Sequence, residues 1–319
     1  MEALTRRNVL WIAACIVALF ALIGYRTLFA PPTDFPSGSL ITIARGSSAP
    51  FVADQLAETH IIAHPSVLRL LLRLSGASGS VHAGTYRFEA PQNSLIVAYR
   101  IATGAFGLPP VRITFPEGTT VRDMAAEVAD SFPEVKAADF LKAAQPYEGY
   151  LFPDTYLFLP SSDAASLVAL MRDNFDTKIA TIAGEIGSSG RSIGDTVILA
   201  SLVEKEARSS ENRRIVAGIL LNRLKLGMPL QVDAVFGYIF GRDTYSPSLE
   251  DLTVNSPYNT YTHPGLPPGP ICNPGLDSLQ AAANPAKTDY LYYLTGKDGL
   301  MHYATTYAGH QANRKKYLP

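Results

Sequence analysis

The chain has 319 residues, 47% of them hydrophobic and 17% charged, which is enough for one large or two medium domains with hydrophobic cores. The formal net charge of −1 provides no basic field that would recruit DNA or RNA, so we exclude nucleic-acid partners. The two cysteines, Cys15 and Cys272, lie in very different segments, and we expect neither a disulfide between them nor a metal or redox site built on thiols.

The N-terminus carries an uninterrupted apolar run. No charged residue occurs between residues 8 and 25, and Arg6 and Arg7 precede the run. About 20 apolar residues span a bilayer, and arginines on the short side favour a cytoplasmic N-terminus. A cleaved signal peptide is an alternative, but the following GYRTLFAPPTDFP offers no small-x-small cleavage site, and a buried core helix is a third possibility. We predict a cytoplasmic tail (1–7), a transmembrane anchor (8–25) and a Pro-containing linker (26–38), with the rest of the chain outside the cytoplasm.

A self-similar pattern follows the linker. ITIARGSSAPFVADQLAE (Ile41 to Glu58) resembles ITFPEGTTVRDMAAEVAD (Ile113 to Asp130), and a weaker third copy begins at Tyr86. Each copy predicts a short strand, a turn and an amphipathic helix that begins at Ser, Thr or Asn. Such units resemble the LysM-like modules that bind cell-wall glycan, although strand–helix units also recur in many unrelated folds.

Tyrosine usage indicates a boundary near residue 145. Three of the 16 tyrosines precede that position and the others follow it. Tyrosine rings stack on the apolar faces of sugars while the hydroxyl forms hydrogen bonds, so the change favours a glycan cleft in the second part, although tyrosine is also a common strand residue. We therefore predict an α+β chain with a LysM-like βα region over 39–145 and a catalytic α+β domain over 146–319.

The stretch LASLVEKEAR, Leu199 to Arg208, places two glutamates in an otherwise apolar helix. With about 100° between successive residues, Glu206 falls in the middle of the apolar face and Glu204 on nearly the opposite side. A carboxyl group among apolar side chains resists ionisation and can act as a general acid. The alternative for Glu206 is a structural ion pair with a nearby arginine, such as Arg213 or Arg223. We expect Glu204 to be a solvated or salt-bridged surface residue.

A second helix and a long loop are predicted to complete the site. The helix is entered from Ser209 and Ser210 and ends at Gly227, so the two helices would form a helical hairpin at the back of a cleft. Gln231 and Asp233 share one face if their segment is extended. The loop from Ser256 to Gly275 contains six prolines and three glycines around Tyr258, Asn259 and Tyr261. Proline stiffening lets such a loop hold polar groups in place, whereas Pro-rich ligands for partner domains are charged and repetitive.

Several of these motifs, in this order, resemble the endolytic murein transglycosylases, the YceG-like family. The resemblance is carried by LASLVEKEA, NRLKLGMPLQVDA, SPYNTYTHPGLPPGPICNPG, AAANPAKTDYLYYL and EGYLFPDTY, together with the N-terminal apolar run, and it covers nearly the whole chain. It implies an inner-membrane protein with a LysM-like subdomain and a periplasmic catalytic domain. It also implies cleavage of MurNAc–GlcNAc β-1,4 bonds within nascent peptidoglycan strands, which leaves 1,6-anhydroMurNAc ends.

The resemblance places the catalytic glutamate on Glu206, in agreement with the helical geometry. The sugar's own C6 hydroxyl attacks in this reaction, so a single carboxyl serves as acid and then as base, and no metal or cofactor is needed. We expect Gln231, Asp233, Tyr258, Asn259 and Tyr261 to line the cleft. Peptidoglycan strands are the implied partner, and synthases and division proteins follow from the resemblance alone. A non-catalytic glycan-binding scaffold, and a hydrolase that uses Asp154 or Asp233 as its second carboxylate, remain as alternatives.

The C-terminal end departs from the family pattern, which tends toward Gly-x-His-x-Phe-Ser/Ala-x-Thr-x-x-Glu-His-x-x-Asn. Aligned on His310 and Asn313, this chain has Met301 at the first histidine, His302 one position later, and Gly309 at the glutamate. A one-residue displacement on a strand reverses the face, so contacts made by that histidine or glutamate elsewhere in the family are in doubt here. The histidines also lack metal-binding spacing.

Overall fold

The computed structural model describes residues 6–44, 46–76, 81–132, 135–160, 162–242 and 246–318, with side chains from residue 11 onward. Residues 1–5 of the predicted cytoplasmic tail lie outside this description. The described residues form a mixed α+β structure, as predicted. Contacts divide the chain into two compact units, Met1–Pro110 with Leu159–Ser161, and Val111–Phe158 with Ser162–Pro319.

Helix α1 (Arg6–Phe29) contains the predicted anchor. Its segment Trp11–Phe29 is long and apolar enough to cross a membrane, and none of it is buried. Trp11 and Phe20 are about two-thirds exposed, as side chains that face lipid would be. The helix continues four residues beyond the predicted end at residue 25 and stops before Pro31 and Pro32, which cannot extend it.

The rest of the first unit is a small α+β fold built on a two-stranded antiparallel sheet. Strand β1 pairs with β2 from Ser39↔Phe88 to Ile43↔Gly84. Apolar side chains from both strands and from the helices form one core, in which Leu56, Leu68 and Phe88 are fully buried. The elements after α1, in chain order, are β1 (Ser39–Ile43), α2 (Ala49–Glu58), α3 (Pro65–Leu74), β2 (Gly84–Phe88) and α4 (Ser94–Thr103). We call the segment from β1 to β2 the first module.

The second unit opens with the same order of elements, which we call the second module. These are β3 (Val111–Thr114), α5 (Val121–Ser131), α6 (Ala137–Ala144) and β4 (Thr155–Phe158), and β3 pairs with β4 in an antiparallel ladder. The predicted strand–turn–helix units are therefore present in both segments, with Ser48 and Thr120 at the equivalent helix starts.

The division between the units falls at residue 110, whereas tyrosine usage indicated a boundary near 145. Residues 111–144 belong with the second unit because β3 forms its sheet with β4. In addition, the helices of the second module share a core with α7 (Ala164–Thr181). A change in tyrosine frequency does not detect a strand pairing that joins residues more than 40 positions apart.

The remaining helices of the second unit surround α9 (Ile193–Glu206). Ser192 is its N-cap, and the side-chain oxygen accepts from the Asp195 amide at 3.0 Å. Helix α10 (Ser210–Lys225) begins after a three-residue connection with Ser209 as its N-cap, and residues of the two helices belong to one apolar core. The other elements are α8 (Ala183–Ser189), α11 (Ala234–Phe240), α12 (Leu276–Ala283), β5 (Tyr292–Thr295), β6 (Met301–Ala304) and α13 (Tyr307–Tyr317).

Candidate functional site

Glu206 is the last residue of α9, and neighbours from two other elements hold its carboxyl group. The Tyr293 hydroxyl, on β5, donates to Glu206 Oε2 at 3.0 Å. The backbone amide of Ala234, at the start of α11, donates a second hydrogen bond. The carboxyl is therefore fixed in orientation by β5 and α11, which lie 28 or more positions further along the chain.

Burial raises the pKa of Glu206 to about 7. The hydrogen bond from Tyr293 opposes this effect, the negative charge of Asp233 adds to it, and Ala234 and Arg223 again lower the pKa. The structure gives Glu206 no lysine or arginine ion-pair partner among the described residues. A carboxyl group with this pKa is about half protonated near neutral pH, which is the condition that a general acid requires.

Glu204 is not a surface residue, and this part of the sequence-based expectation is wrong. Its side chain is 5% exposed and forms an ion pair with Arg213 at 2.6 Å. It also accepts a hydrogen bond from the Gly275 amide at 2.9 Å. A helical projection considers one helix alone, whereas in the folded chain the loop before α12 covers the face of α9 that carries Glu204. The predicted ion pair exists, but it lies in the interior.

Arg213 connects Glu204 to two further carboxylates. It contacts Asp277 at 2.7 Å and Glu117, from the second module, at 3.6 Å. Burial and the neighbouring Glu204 raise the pKa of Glu117 above its usual value. A Cβ at Gly275 would lie 2.0 Å from Glu117 Oε1, so a larger residue there would displace this carboxylate. The network joins α9, α10, α12 and the second module.

Two cavities adjoin Glu206, and both are lined by Glu206 and Asp233. We call the first, of about 590 Å³, the aromatic cavity, because four tyrosines contribute to it: Tyr261, Tyr292, Tyr293 and Tyr307. We call the second, of about 330 Å³, the cationic cavity, because three cationic side chains line it: Arg122, Lys205 and Arg242. A larger cavity near Arg191 and Asn284 is lined by neither Glu206 nor Asp233.

The structure brings Gln231 and Asp233 to the aromatic cavity together, as predicted from their spacing. The segment is not a strand: Gln231 has a φ of +50°, and Asp233 begins the turn into α11. Val232, between them, is fully buried, so its two neighbours still point to the same side. The shared face was predicted for an extended segment, and this segment is not extended.

Tyr258 and Tyr261 of the Pro-rich loop take different positions relative to the two cavities. Tyr261 lines the aromatic cavity and donates its hydroxyl hydrogen bond to Asp233. Tyr258 packs against Tyr238, with 5.0 Å between the ring centroids, and lines neither cavity, whereas Tyr238 lines the cationic cavity. Tyr258 thus contributes to the site through its contact with Tyr238.

Asn259 does not line the cleft, and its predicted contact with substrate is corrected here. It is fully buried, and its amide nitrogen donates to the carbonyls of Leu252 and Val254 at 3.0 and 2.9 Å. Its side-chain oxygen accepts from the Tyr261 amide at 3.0 Å. The side chain holds the loop in shape and thereby sets the position of Tyr261.

Tyr293 and Arg223 are site residues whose roles sequence reasoning missed. Arg223 is buried and donates to the carbonyls of Leu291 and Leu230, which fixes β5 and the segment before Gln231. Its guanidinium lies 5.3 Å from the Tyr292 ring centroid. The signal for Tyr293 was available in the tyrosine-rich strand pattern DYLYYLT, but nothing local indicates which of its tyrosines reaches Glu206.

Glu148 is a second carboxyl group with a strongly raised pKa. Burial raises its pKa to about 7, against the opposing effect of a hydrogen bond from the Val121 amide. Its Oε1 also accepts from Asn273 at 3.1 Å. Asn273 is fully buried and additionally accepts from the Leu151 amide and donates to the Thr119 carbonyl. Together they fasten the second module to the loop before α12.

The shifted C-terminal motif is visible in the structure. His302, on β6, bonds Asp298 at 2.9 Å and stacks on Tyr317. His310, on α13, lines the aromatic cavity and stacks on Tyr292. Burial lowers the pKa of His310 below its usual value, which favours the neutral ring. Asp154, proposed as a second carboxylate for a hydrolase, lines neither cavity and instead bonds Asn174.

Comparison with known proteins assigns the chain to a family. The sequence model of the YceG-like family matches residues 41–316. The chain is 31% identical over 305 residues to the endolytic murein transglycosylase of Bacillus subtilis, covering 87% of this chain and 84% of that protein. It is 27% identical to the endolytic murein transglycosylase of Streptococcus pneumoniae, covering 90% of this chain but only 60% of that longer protein.

A solved structure shares the fold. The crystal structure of a YceG-like protein from Listeria monocytogenes aligns with a TM-score of 0.60 and 29% sequence identity. The alignment covers 86% of this chain and 99% of that one.

Proposed function

The chain belongs to the YceG-like family, and we propose that it is a membrane-anchored endolytic transglycosylase that cleaves MurNAc–GlcNAc β-1,4 bonds within peptidoglycan strands. The observation that carries the proposal is Glu206, a carboxyl group with a pKa of about 7 at the junction of two cavities. The names of the relatives supply the substrate class.

Glu206 serves in two steps of the proposed reaction. As the acid, it gives its proton to the glycosidic oxygen while the bond from that oxygen to the anomeric carbon breaks. As the carboxylate, it then accepts the proton of the C6 hydroxyl of the same MurNAc residue, while that oxygen bonds to the anomeric carbon. The product is a 1,6-anhydro end, the protonated Glu206 is restored, and no water is consumed. A pKa near the working pH suits both steps.

The groups around Glu206 fit the charge that develops in this reaction. Positive charge grows on the anomeric carbon and ring oxygen as the bond breaks, and the Asp233 carboxylate, held by Tyr261, is placed to stabilise it. Tyr293 returns the carboxyl to one orientation after each proton transfer. The tyrosines of the aromatic cavity provide ring faces for the sugars.

The membrane and glycan-binding parts of the proposal rest on the first unit. Segment Trp11–Phe29 would cross the inner membrane once, with Arg6 and Arg7 on the cytoplasmic side and the catalytic unit in the periplasm. We propose that the first module, with its strand–helix–helix–strand order, is the LysM-like glycan-binding subdomain.

A hydrolase that uses water is the second candidate, and Asp233 favours it. This carboxylate lines both cavities beside Glu206 and is close enough to raise the Glu206 pKa. Hydrolytic glycosidases need such a second carboxylate as base or nucleophile. A glycan-binding scaffold without turnover would use the cavities but would not need a carboxyl group with a raised pKa.

Mass spectrometry of glycan strands incubated with the full-length protein tests these alternatives. We expect 1,6-anhydro ends from the wild type, and a loss of about 10²- to 10⁴-fold in rate for Glu206→Gln, which keeps the shape but removes the acidic proton. Reducing ends would establish the hydrolase, and no cleavage the scaffold.

Two control variants sharpen the experiment. Glu211→Gln changes an exposed carboxylate on the same helical hairpin, outside both cavities, and should cleave at the wild-type rate. Asp233→Asn should slow a transglycosylase but abolish a hydrolase that needs this base. Wild-type cleavage by a folded Glu206→Gln protein would refute the assignment.

A further inference from the structure

The two cavities beside Glu206 are lined by different kinds of side chain. This difference matters for function only if each cavity contacts a different part of the substrate. The aromatic cavity offers hydroxyls and ring faces, which suit neutral sugar rings. It also contains two arginines, Arg314 and the buried Arg223, which donates to backbone carbonyls. The smaller cationic cavity offers positive charge, which a neutral sugar does not require.

Each cation of this cavity comes from a different element. Arg122 is in the first turn of α5, Lys205 precedes Glu206 on α9, and Arg242 follows the end of α11. Tertiary folding therefore gathers them, because they are far apart in the sequence. All three are exposed to solvent at the cavity and can be approached by a ligand.

One glycine turn allows Arg122 to approach the backbone closely, and Lys205 lies at ordinary contact distance from a second. A Cβ at Gly241 would lie 1.9 Å from Arg122 Nη1, so the guanidinium rests against the backbone of this turn. A Cβ at Gly118 would lie 3.7 Å from Lys205 Nζ. Both glycines have positive φ values, +67° and +79°, where side chains are disfavoured. The two cations are thus placed by the fold at the walls of the cavity.

The acidic groups that line the same cavity are already engaged. Asp123 accepts hydrogen bonds from the Thr120 hydroxyl and amide in a capping box, and Asp233 accepts from Tyr261. The third, Glu206, is the proton donor of the proposed reaction. These hydrogen bonds leave Asp123 and Asp233 charged, so with Glu206 protonated three cations face two carboxylates, and the cavity carries a net positive charge for an incoming anion.

We propose that the cationic cavity binds a carboxylate carried by a muramic acid residue of the glycan strand, with Arg122 and Lys205 as its principal contacts. This inference rests on the proposed function. Of the two alternating sugars, only N-acetylmuramic acid bears a carboxyl, on the lactyl ether at C3, and GlcNAc bears none. A carboxylate bound here would fix which sugar lies on each side of Glu206.

The carboxylate has two sources with the same chemistry. In a strand without peptides it is the lactyl group itself. In a strand with stem peptides the lactyl carboxyl is an amide, and the carboxylates belong to the peptide. Strands of equal length in three forms separate these sources: peptide-free, peptide-free with the lactyl carboxyls converted to neutral methylamides, and peptide-bearing.

Binding of labelled strands is measured on the full-length Glu206→Gln protein, so that the result does not depend on turnover. We expect Arg122→Gln with Lys205→Gln to weaken binding of charged strands about tenfold or more, since each charge-assisted contact contributes substantially. Neutral methylamide strands should bind both proteins equally weakly. The difference should shrink at high salt, because salt screens the interaction.

The form of glycan strand that binds more weakly to the double variant than to its parent identifies the source of the carboxylate. An effect on peptide-free strands assigns the lactyl group, and an effect on peptide-bearing strands alone assigns the stem peptide. Arg208→Gln removes an exposed arginine outside both cavities and should change nothing. Equal affinities of the double variant and its parent for all three strands would overturn the subsite.

Failure of the subsite and failure of the proposed function remain distinguishable. Wild-type protein that produces anhydro ends, combined with unchanged binding by the double variant, refutes the subsite alone. Wild-type protein that cleaves no strand, combined with charge-dependent binding, refutes the enzyme and leaves the anion site standing.

Discussion

The first and second modules, residues 39–88 and 111–158, are two versions of one structure with different surroundings. In both, a threonine pair faces across the sheet, with hydroxyls 2.9 Å apart in Thr42–Thr85 and 2.8 Å apart in Thr114–Thr155. In both, the tyrosine after the second of these threonines donates to the carbonyl four residues earlier. The likeness therefore extends to individual side chains and covers more than the strand–helix pattern.

The modules differ in what they pack against. The first completes its core with α4 inside the first unit. The second shares its core with α7 and supplies Glu117, Arg122 and Glu148 to the neighbourhood of α9 and of the loop before α12. The same fold can thus serve as a separate module or contribute to the wall of the cationic cavity beside Glu206, depending on a few charged side chains at its turns and helix starts.

Replacing a core residue of one module, or its counterpart in the other, should give the largest loss of stability. The experiment also tests whether the two modules belong to separate folding units. Phe88 and Phe158 occupy matching strand positions and are both buried. Replacing either by alanine should cost about 3 to 5 kcal/mol of unfolding free energy. In calorimetry, Phe88→Ala should lower one transition and leave strand cleavage intact, whereas Phe158→Ala should lower the other and reduce cleavage. A shared shift of both transitions would contradict the division at residue 110.

How far sequence reasoning succeeded depends on the range of the interactions involved. A helix start such as Ser209 is local and was predicted correctly. The orientation of Glu206 toward the interior also followed from one helix. Tyr293 and the pairing of β3 with β4 depend on residues 40 to 90 positions away, and no local pattern specifies them. Glu204 was misplaced for the same reason, since the loop that buries it belongs to another part of the chain.

The buried ion pair of Glu204 gives the next largest effect and tests the link between the second module and α9. Glu204→Gln leaves Arg213 with Asp277 but removes its shortest contact. We expect a loss of about 2 kcal/mol in the second unit, because a charge-assisted hydrogen bond becomes a neutral one while Asp277 still pairs with Arg213. Chemical denaturation measures it, with Glu211→Gln as the exposed control. A silent Glu204→Gln would show that the interior placement is wrong.

Glu148 should make the stability of the second unit depend on pH. Among the described side chains of the first module, no carboxyl group with a raised pKa occupies an equivalent position. Its pKa is raised from 4.5 to about 7, so the folded state holds the proton more tightly than the unfolded state. The stabilising contribution is complete below pH 4.5, is lost as the pH rises through about 7, and stays constant above. Glu148→Gln removes this dependence.

The measurement is the unfolding free energy of wild type and Glu148→Gln from pH 4 to pH 8. The variant should gain on the order of 2 kcal/mol relative to wild type across that range, after allowance for partial exposure. Glu206 titrates in both proteins and cancels from the difference. Parallel pH curves for wild type and Glu148→Gln would show that Glu148 ionises normally.

The smallest effect is expected at the matched tyrosines, and it measures how closely the modules correspond. Tyr86→Phe and Tyr156→Phe each remove one hydroxyl that donates to a backbone carbonyl, at 2.8 and 2.6 Å. Each should cost about 1 kcal/mol, since the carbonyl is left without its donor in a buried setting. Tyr156 also accepts from Asn174 at 3.0 Å, so its loss should be the larger of the two. Equal losses would mean that Asn174 adds nothing. A larger loss at Tyr86 would mean that the first module depends on this bond more than the second, which is also braced by α7.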